Sequence, residues 1–264
     1  MMSIEQTSEF LFDLRRDNRA VEALPEALCP ADLTSAYAAQ ALLVDRLCAH
    51  WHGQTAGYKI ALTSPTAQSL LGVPHPVFGR LISSRCYDSG TSLTAGEYCT
   101  RIIEVEFAFV MATDVPRSST PYSAVSIAPY ITSLHPAIEI VNHRFAALDR
   151  LNACSLAADN AIHGSFVQGP AASAWHDYDL GAHAVRLLVN DEPILSGAGD
   201  RTLGHPLNAL AWLANALPIH DLDLRAGDFI TTGLVTDGIY HALPGDHLIG
   251  DFGALGQVAV TFTD

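Results

Sequence analysis

From residue 76 onward, short apolar runs follow one another with almost no helical periodicity between them. The segments 101–111, 135–142, 164–168, 184–190, 228–232, 246–251 and 256–263 all read as strands. One segment, "HPLNALAWLANAL" (205–217), breaks the series with helical spacing. Parallel α/β folds need a crossover, usually a helix, between successive strands. This order therefore disfavours a Rossmann or alternating-barrel fold. It predicts a mixed, mostly antiparallel β structure.

The start of the chain is different. Phe10, Leu11, Leu14, Val21 and Leu24 recur at helical intervals over 4–25, and Leu33, Tyr37, Leu42, Leu43 and Leu47 over 31–50. Pro25 and Pro30 separate the two runs. "GYKIAL" then reads as a short strand. "TSPTAQSLLG" reads as a helix with Ser64 at its N-cap, Pro65 at the first helical position and Gly72 beyond its end. The expected fold class is α+β: a helical region over 1–75 packed on a β body over 76–264, the two forming one functional unit. With 49% apolar residues the chain has ample material for a core.

Two strands carry residues that a core strand should not. In "RIIEVEFAFVM" (101–111), alternation puts Glu104 and Glu106 on one face and Val105 and Phe107 on the other. In "HPAIEIVNHR" (135–144), Glu139 lies between Ile138 and Ile140. Buried carboxylates cost several kcal/mol each unless they are protonated or compensated. One reading is a solvated sheet face. The other is a site for a hard divalent cation such as Mg²⁺, which takes oxygen ligands.

A further anomaly is "GYKIALTSPTAQ" (57–68), which holds the only lysine among fourteen lysines and arginines. Lysine is a compact point charge whose pKa moves readily on burial, and arginine is not. Either Lys59 is needed as an exchangeable proton carrier, or its survival is chance. Asp159 and Asn160 in "LAADNAIHGSFVQG" (156–169) are turn-forming residues ahead of a glycine.

Other features narrow the class. A formal net charge of −14 argues against nucleic acid and anionic membranes as partners. The five cysteines, Cys29, Cys48, Cys86, Cys99 and Cys154, are odd in number and form no CxxC, as expected of a reducing compartment. No signal-peptide order or membrane-length apolar run is evident, so a soluble cytoplasmic protein is expected. No GxSxG, P-loop or HExxH motif occurs. "GAGDRTLG" (197–204) lacks dinucleotide-loop spacing and is set aside. His143 and His163 fall near strand ends.

Taken in order, "GYKIALTSPTAQSLLGVPHPVFGRL", "RIIEVEF", "HPAIEIVNHR", "AADNAIHGSFVQG", "LGHPLNALAWLANAL" and "LRAGDFITTGL" resemble the 2-hydroxypenta-2,4-dienoate hydratase and 4-oxalocrotonate decarboxylase family of the fumarylacetoacetate hydrolase superfamily. The likeness runs from about residue 5 to the C-terminus. It implies a mixed β-roll with an N-terminal helical region, a homo-oligomer, and Mg²⁺ or Mn²⁺ held by Glu104, Glu106 and Glu139. It puts Lys59 beside the metal-bound substrate, as a proton carrier or carboxylate clamp. On this reading Asp159 and Asn160 orient substrate or a bound water, and Thr63 and Ser64 contact the substrate carboxylate. The implied activity is a lyase adding water to a small 2-hydroxy-2,4-dienoate or 2-oxo-enoate in aromatic-compound degradation. The alternative is decarboxylation of a 2-oxo-enedioate; an acylpyruvate hydrolase or a non-catalytic metal-binding subunit stands further off. Two positions depart from the hydratase pattern. Val77 stands where many carry aspartate, and Ile162 where some carry serine.

Overall fold

The computed structural model describes residues 4–70, 72–147 and 150–264. Two helices open the fold, α1 (Ile4–Arg16) and α2 (Leu33–His50). Leu11 and Leu14 of α1 pack with Ala36, Leu43 and Leu47 of α2, all fully buried. Asp32 caps α2 by accepting the Ser35 N–H at 2.8 Å. The helical spacing read over 4–25 outruns the helix, which stops at Arg16. Asn18 turns the chain with φ 44°, a left-handed conformation that asparagine tolerates. Val21 is apolar for another reason, because it bridges in extended form to Phe145.

The following elements are β1 (Thr55–Ala61), α3 (Pro65–Leu70), β2 (Val77–Ile82), β3 (Cys86–Asp88), β4 (Thr91–Thr94), β5 (Ile102–Met111), α4 (Ala124–Ile127) and β6 (Ile131–Val141). After them come α5 (Ala153–Ala158), β7 (His163–Gln168), β8 (Ala184–Val189), β9 (Glu192–Ala198), α6 (Pro206–Ala216), β10 (Phe229–Thr231), β11 (Tyr240–His241), β12 (His247–Asp251) and β13 (Gln257–Thr263). Residue 71 of the segment read as a capped helix lies outside the described residues; Ser64, Pro65 and Gly72 stand at its ends as expected.

One sheet runs in the order β2-β1-β10-β5-β6-β7-β3, with β11 also on β5; the second runs β4-β13-β12-β8-β9. Among these strands parallel pairing occurs only for β1 with β10, β13 with β4 and β3 with β7. The boundary between 75 and 76 falls between β1 and β2, which are neighbours in one sheet, so the helical region supplies a strand to the body.

The face of β5 carrying Val105 and Phe107 turns to the second sheet. There Phe107 meets Phe252 edge-on at 5.0 Å. The opposite face carries Glu104 and Glu106, next to a small apolar cluster of Leu81, Ala108, Ala137 and Phe166. Both sides of this strand are enclosed, and the wet-edge reading of the glutamates fails for that reason.

Candidate active site and metal centre

Sheet register assembles the acidic cluster. β5 and β6 are antiparallel, and Glu104 lies directly opposite Glu139. Glu106, two residues along β5, shares their face. Oxygen atoms of all three carboxylates lie within 4.8 Å of one another. Glu106 and Glu139 are fully buried, and Glu104 is part-buried. Lys59 reaches the cluster from β1, with Nζ 3.0 Å from Glu139 Oε2. Nζ also donates to the Ala161 carbonyl at 3.2 Å. On the other side, His163 Nδ1 bonds Glu139 Oε1 at 3.0 Å. The Gly233 N–H donates to Glu106 Oε2 at 2.6 Å.

Three carboxylates and one ammonium leave two negative charges uncompensated in a dry site. Burial therefore raises Glu104 to about 7 and pushes Glu106 well above the usual carboxylate range, with mutual repulsion adding to it. Burial also presses Glu139 upward, but the Lys59 charge and the His163 hydrogen bond outweigh it and hold this carboxyl low. Burial alone would lower Lys59; the three glutamates reverse that and keep it an ammonium. Burial lowers His163, so its imidazole is neutral and donates from Nδ1.

The cluster fits a divalent cation. Glu106 Oε1 is buried and makes no hydrogen bond, and Glu139 Oε2 has only the Lys59 ammonium against it. An orphaned carboxylate oxygen at this depth is costly, and a hard cation with oxygen ligands is what such an atom suits. Its charge equals the uncompensated charge of the site.

Behind the cluster lies a strained turn. Asn160, Ala161 and Ile162 have φ of 53°, 48° and 51°, three consecutive non-glycine residues in left-handed conformation. Each costs roughly 1–2 kcal/mol. The turn is held from both sides. The Asn160 side chain accepts the Arg80 N–H at 2.7 Å and donates to the Arg80 carbonyl at 2.9 Å. Gly79 lets the turn approach, since a Cβ there would collide with the Asn160 carbonyl. Arg15 bonds the Asp159 carboxylate and carbonyl, both at 2.7 Å, and the His163 carbonyl at 2.8 Å. The turn sets the Ala161 carbonyl against Lys59 and Ile162 in the cavity wall.

A cavity of about 450 Å³ opens over Lys59 and Glu104. Its walls are largely apolar, including Ile102, Val141, Leu156, Ile162 and Leu234. Thr63 and Ser64 line it, as the sequence reading expects of substrate contacts. Ser64 Oγ also accepts the Ala67 N–H at 3.2 Å as a helix cap. Thr63 fits closely against Gly233 (φ 95°), where any Cβ would strike the Thr63 hydroxyl. Asp159 and Asn160 do not line the cavity. Asp159 is fully buried against Arg15, and Asn160 clamps β2. Val77 lies beneath the wall, packed with Leu156 and Ala161.

Several lining residues escaped the sequence reading. His143 lines the cavity; its pKa is lowered chiefly by burial and its Nδ1 has no partner. Gly233, Thr236 and Asp237 come from the loop after β10, and Arg201 from the "GAGDRTLG" segment that was set aside. Arg15 carried no signal, being an arginine at the end of an amphipathic helix, where cations are ordinary.

The chain belongs to the fumarylacetoacetate (FAA) hydrolase C-terminal family, whose model matches residues 67–263. Within it, the chain is 32% identical to a 2-keto-4-pentenoate hydratase of Burkholderia vietnamiensis, over 99% of this chain and 98% of that one. It is 32% identical to a 2-hydroxyhexa-2,4-dienoate hydratase of Comamonas testosteroni, over 79% of this chain and 78% of that one. Among solved structures, the 4-oxalocrotonate decarboxylase of Pseudomonas putida G7, complexed with magnesium and adipate, superposes with a TM-score of 0.90. That match is 25% identical and covers 98% of this chain and 97% of the other. The mixed β-roll with its N-terminal helices is thus the fold expected from the sequence. No helix among the described residues is long and apolar enough to cross a membrane.

Proposed function

We propose that the chain is a metal-dependent lyase that adds water to a 2-hydroxy-2,4-dienoate or its 2-oxo-enoate tautomer, giving a 4-hydroxy-2-oxo acid in the degradation of aromatic compounds. The observation that carries this reading is the single lysine set at 3.0 Å against one of three clustered glutamates, beneath an apolar cavity. The hydratase relatives, aligned over nearly the whole chain, support it.

Glu104, Glu106 and Glu139 would hold Mg²⁺ or Mn²⁺. Bound there, the ion would supply a Lewis acid to a 2-oxo acid. In the reaction the C2 enol gives up its proton, C5 gains one, and water then adds its hydroxyl to C4 and its hydrogen to C3. The net change is one water. Lys59, an ammonium at the cavity floor, carries the proton to carbon or clamps the carboxylate. His143, neutral and facing the cavity, takes the proton of the attacking water. Thr63 and Ser64 contact the substrate carboxylate. Asp159 and Asn160 are positioning residues: they hold the left-handed turn whose carbonyl faces Lys59. Glu139 is oriented by His163 from behind.

The second reading is decarboxylation of a 2-oxo-enedioate, favoured by the TM-score of 0.90 to the decarboxylase and by the apolar cavity walls. There the bond to the distal carboxylate breaks, CO₂ leaves, and its electron pair enters the conjugated system. Product identification separates the two. Incubation with 2-hydroxypenta-2,4-dienoate and Mg²⁺ should yield 4-hydroxy-2-oxopentanoate. No hydration, with CO₂ released from a 2-oxo-enedioate, would replace the first reading by the second. The proposal includes a cytosolic location, which the five free cysteines support, and a homo-oligomer, for which a native mass measurement is the test.

A further inference from the structure

Four lining residues of the cavity carry formal charge: Lys59, Glu104, Arg201 and Asp237. The first two belong to the buried cluster. Asp237 is exposed, and its Oδ1 accepts the Ser196 N–H at 3.3 Å. Arg201 is different. It is exposed, and among the described residues no carboxylate forms an ion pair with it. Of the other exposed arginines, Arg16, Arg117, Arg186 and Arg225 pair with a carboxylate; Arg19 and Arg150 do not among the described residues, but neither lines the cavity. An unpaired arginine in the lining of a largely apolar cavity is a ready donor to a carboxylate, in fork geometry.

Its placement is fixed by backbone. Arg201 ends a short 3-10 turn (Gly199–Arg201), and Asp200 N–H of that turn donates to the Gly181 carbonyl at 2.8 Å. Two residues on, Leu203 adopts φ 51° and donates its N–H to the Thr63 carbonyl at 2.9 Å. The segment bearing Arg201 is thus tied directly to the segment bearing Thr63 and, through β1, Lys59. The cavity is thus lined by two cations, one buried and one exposed, together with apolar side chains.

We infer that Arg201 selects a substrate whose far end carries a second carboxylate, so that the preferred ligand is a 2-oxo or 2-hydroxy dicarboxylic acid. The inference rests on the proposed 2-oxo acid site but not on the reaction performed there. It also bears on the choice of reaction. Loss of CO₂ is favoured where the departing carboxylate is poorly solvated; a guanidinium stabilises the carboxylate and opposes its loss. Arg201 therefore retains the distal carboxylate and suits hydration of a dicarboxylate.

The test measures binding, without turnover. Dissociation constants of 2-oxoadipate and 2-oxopentanoate are compared by calorimetry in the full-length protein with saturating Mg²⁺. The wild type should prefer the dicarboxylate by about tenfold or more, the range of a charge-assisted hydrogen bond. Arg201→Ala should collapse that ratio towards one. Arg201→Lys should keep part of it, and Asp237→Asn should increase it by removing a competing charge. Equal binding of the two acids by wild type, or a preference that survives Arg201→Ala, overturns the inference. A preference lost in Arg201→Ala, in a protein that hydrates neither acid's dienoate, upholds this inference and removes the hydratase reading instead.

Discussion

Among the described residues, two ion pairs of an arginine or lysine with a carboxylate are fully buried. Arg15 meets Asp159 at 2.7 Å and Lys59 meets Glu139 at 3.0 Å, and in each the exposures are 1% and 0%. They do different work. The arginine spends its planar fork on three acceptors belonging to Asp159 and His163, and so fixes a strained turn. The lysine makes one backbone hydrogen bond and pairs with a single carboxylate oxygen, in a cluster where Glu106 Oε1 has no partner. Only the second pair borders the cavity. A fork that meets three acceptors suits architecture; a point charge beside an orphaned oxygen and open space suits the proposed chemistry. On the proposed function, that difference is why a chain rich in arginine keeps one lysine.

The sharpest way to break the comparison is Glu106→Gln. It should lower kcat/KM at least about 10³-fold, since the Lewis acid contributes several kcal/mol to charge stabilisation, and calorimetry should show weakened Mg²⁺ binding. The same change should raise the melting temperature of the metal-free protein, because an amide replaces a carboxyl whose ionisation burial opposes. A variant that binds Mg²⁺ like wild type would take Glu106 out of the metal centre.

On the architectural side, Arg15→Met should cost about 3–5 kcal/mol in denaturant unfolding, as expected when one partner of a buried pair is removed. A smaller loss should follow Arg15→Lys, about 1–3 kcal/mol, because a point charge cannot serve three acceptors at once. Wild-type stability in Arg15→Lys would show that the fork is dispensable and the two pairs alike. Gly233→Ala should cost about 1–3 kcal/mol through its left-handed φ and the collision with Thr63, and should raise KM more than it lowers kcat.

The mildest effect is on pH. Glu104 and Glu106 are raised above their unfolded values, so the stability they contribute is fully present below about pH 4.5 and is lost as pH rises, through about 7 for Glu104. Glu139 is depressed and contributes in the opposite sense, losing its stability only in acid. Melting temperatures in EDTA should therefore fall between pH 5 and 8, and Mg²⁺ should flatten the curve. A flat curve without metal would mean that the cluster is not charge-strained.

The chemical cluster was legible in the sequence because its residues violate their surroundings: glutamates inside apolar strands and a lysine where arginine is the habit. Strand alternation then placed Glu104 and Glu106 together, and the register with β6 added Glu139. The architecture was harder to read. The Asp159–Asn160 pair looks like any turn, and only the structure shows the left-handed run and its tie to Arg15, 144 residues away. β2 is broken by Gly79 and Arg80, and most of β9 is exposed, so neither gives a clear apolar pattern. Arg201 sat in a glycine-rich segment judged only as a nucleotide loop, and its role depends on a cavity that distant segments build.

The most direct test of the central claim is the rate of 2-hydroxypenta-2,4-dienoate hydration, with and without Mg²⁺, in wild type and Lys59→Arg. A proton carrier contributes about 10²–10⁴-fold. The expected result is hydration that requires metal and falls by that factor in Lys59→Arg while metal binding persists. Hydration that proceeds equally in EDTA, or at the wild-type rate with arginine at position 59, would contradict the account.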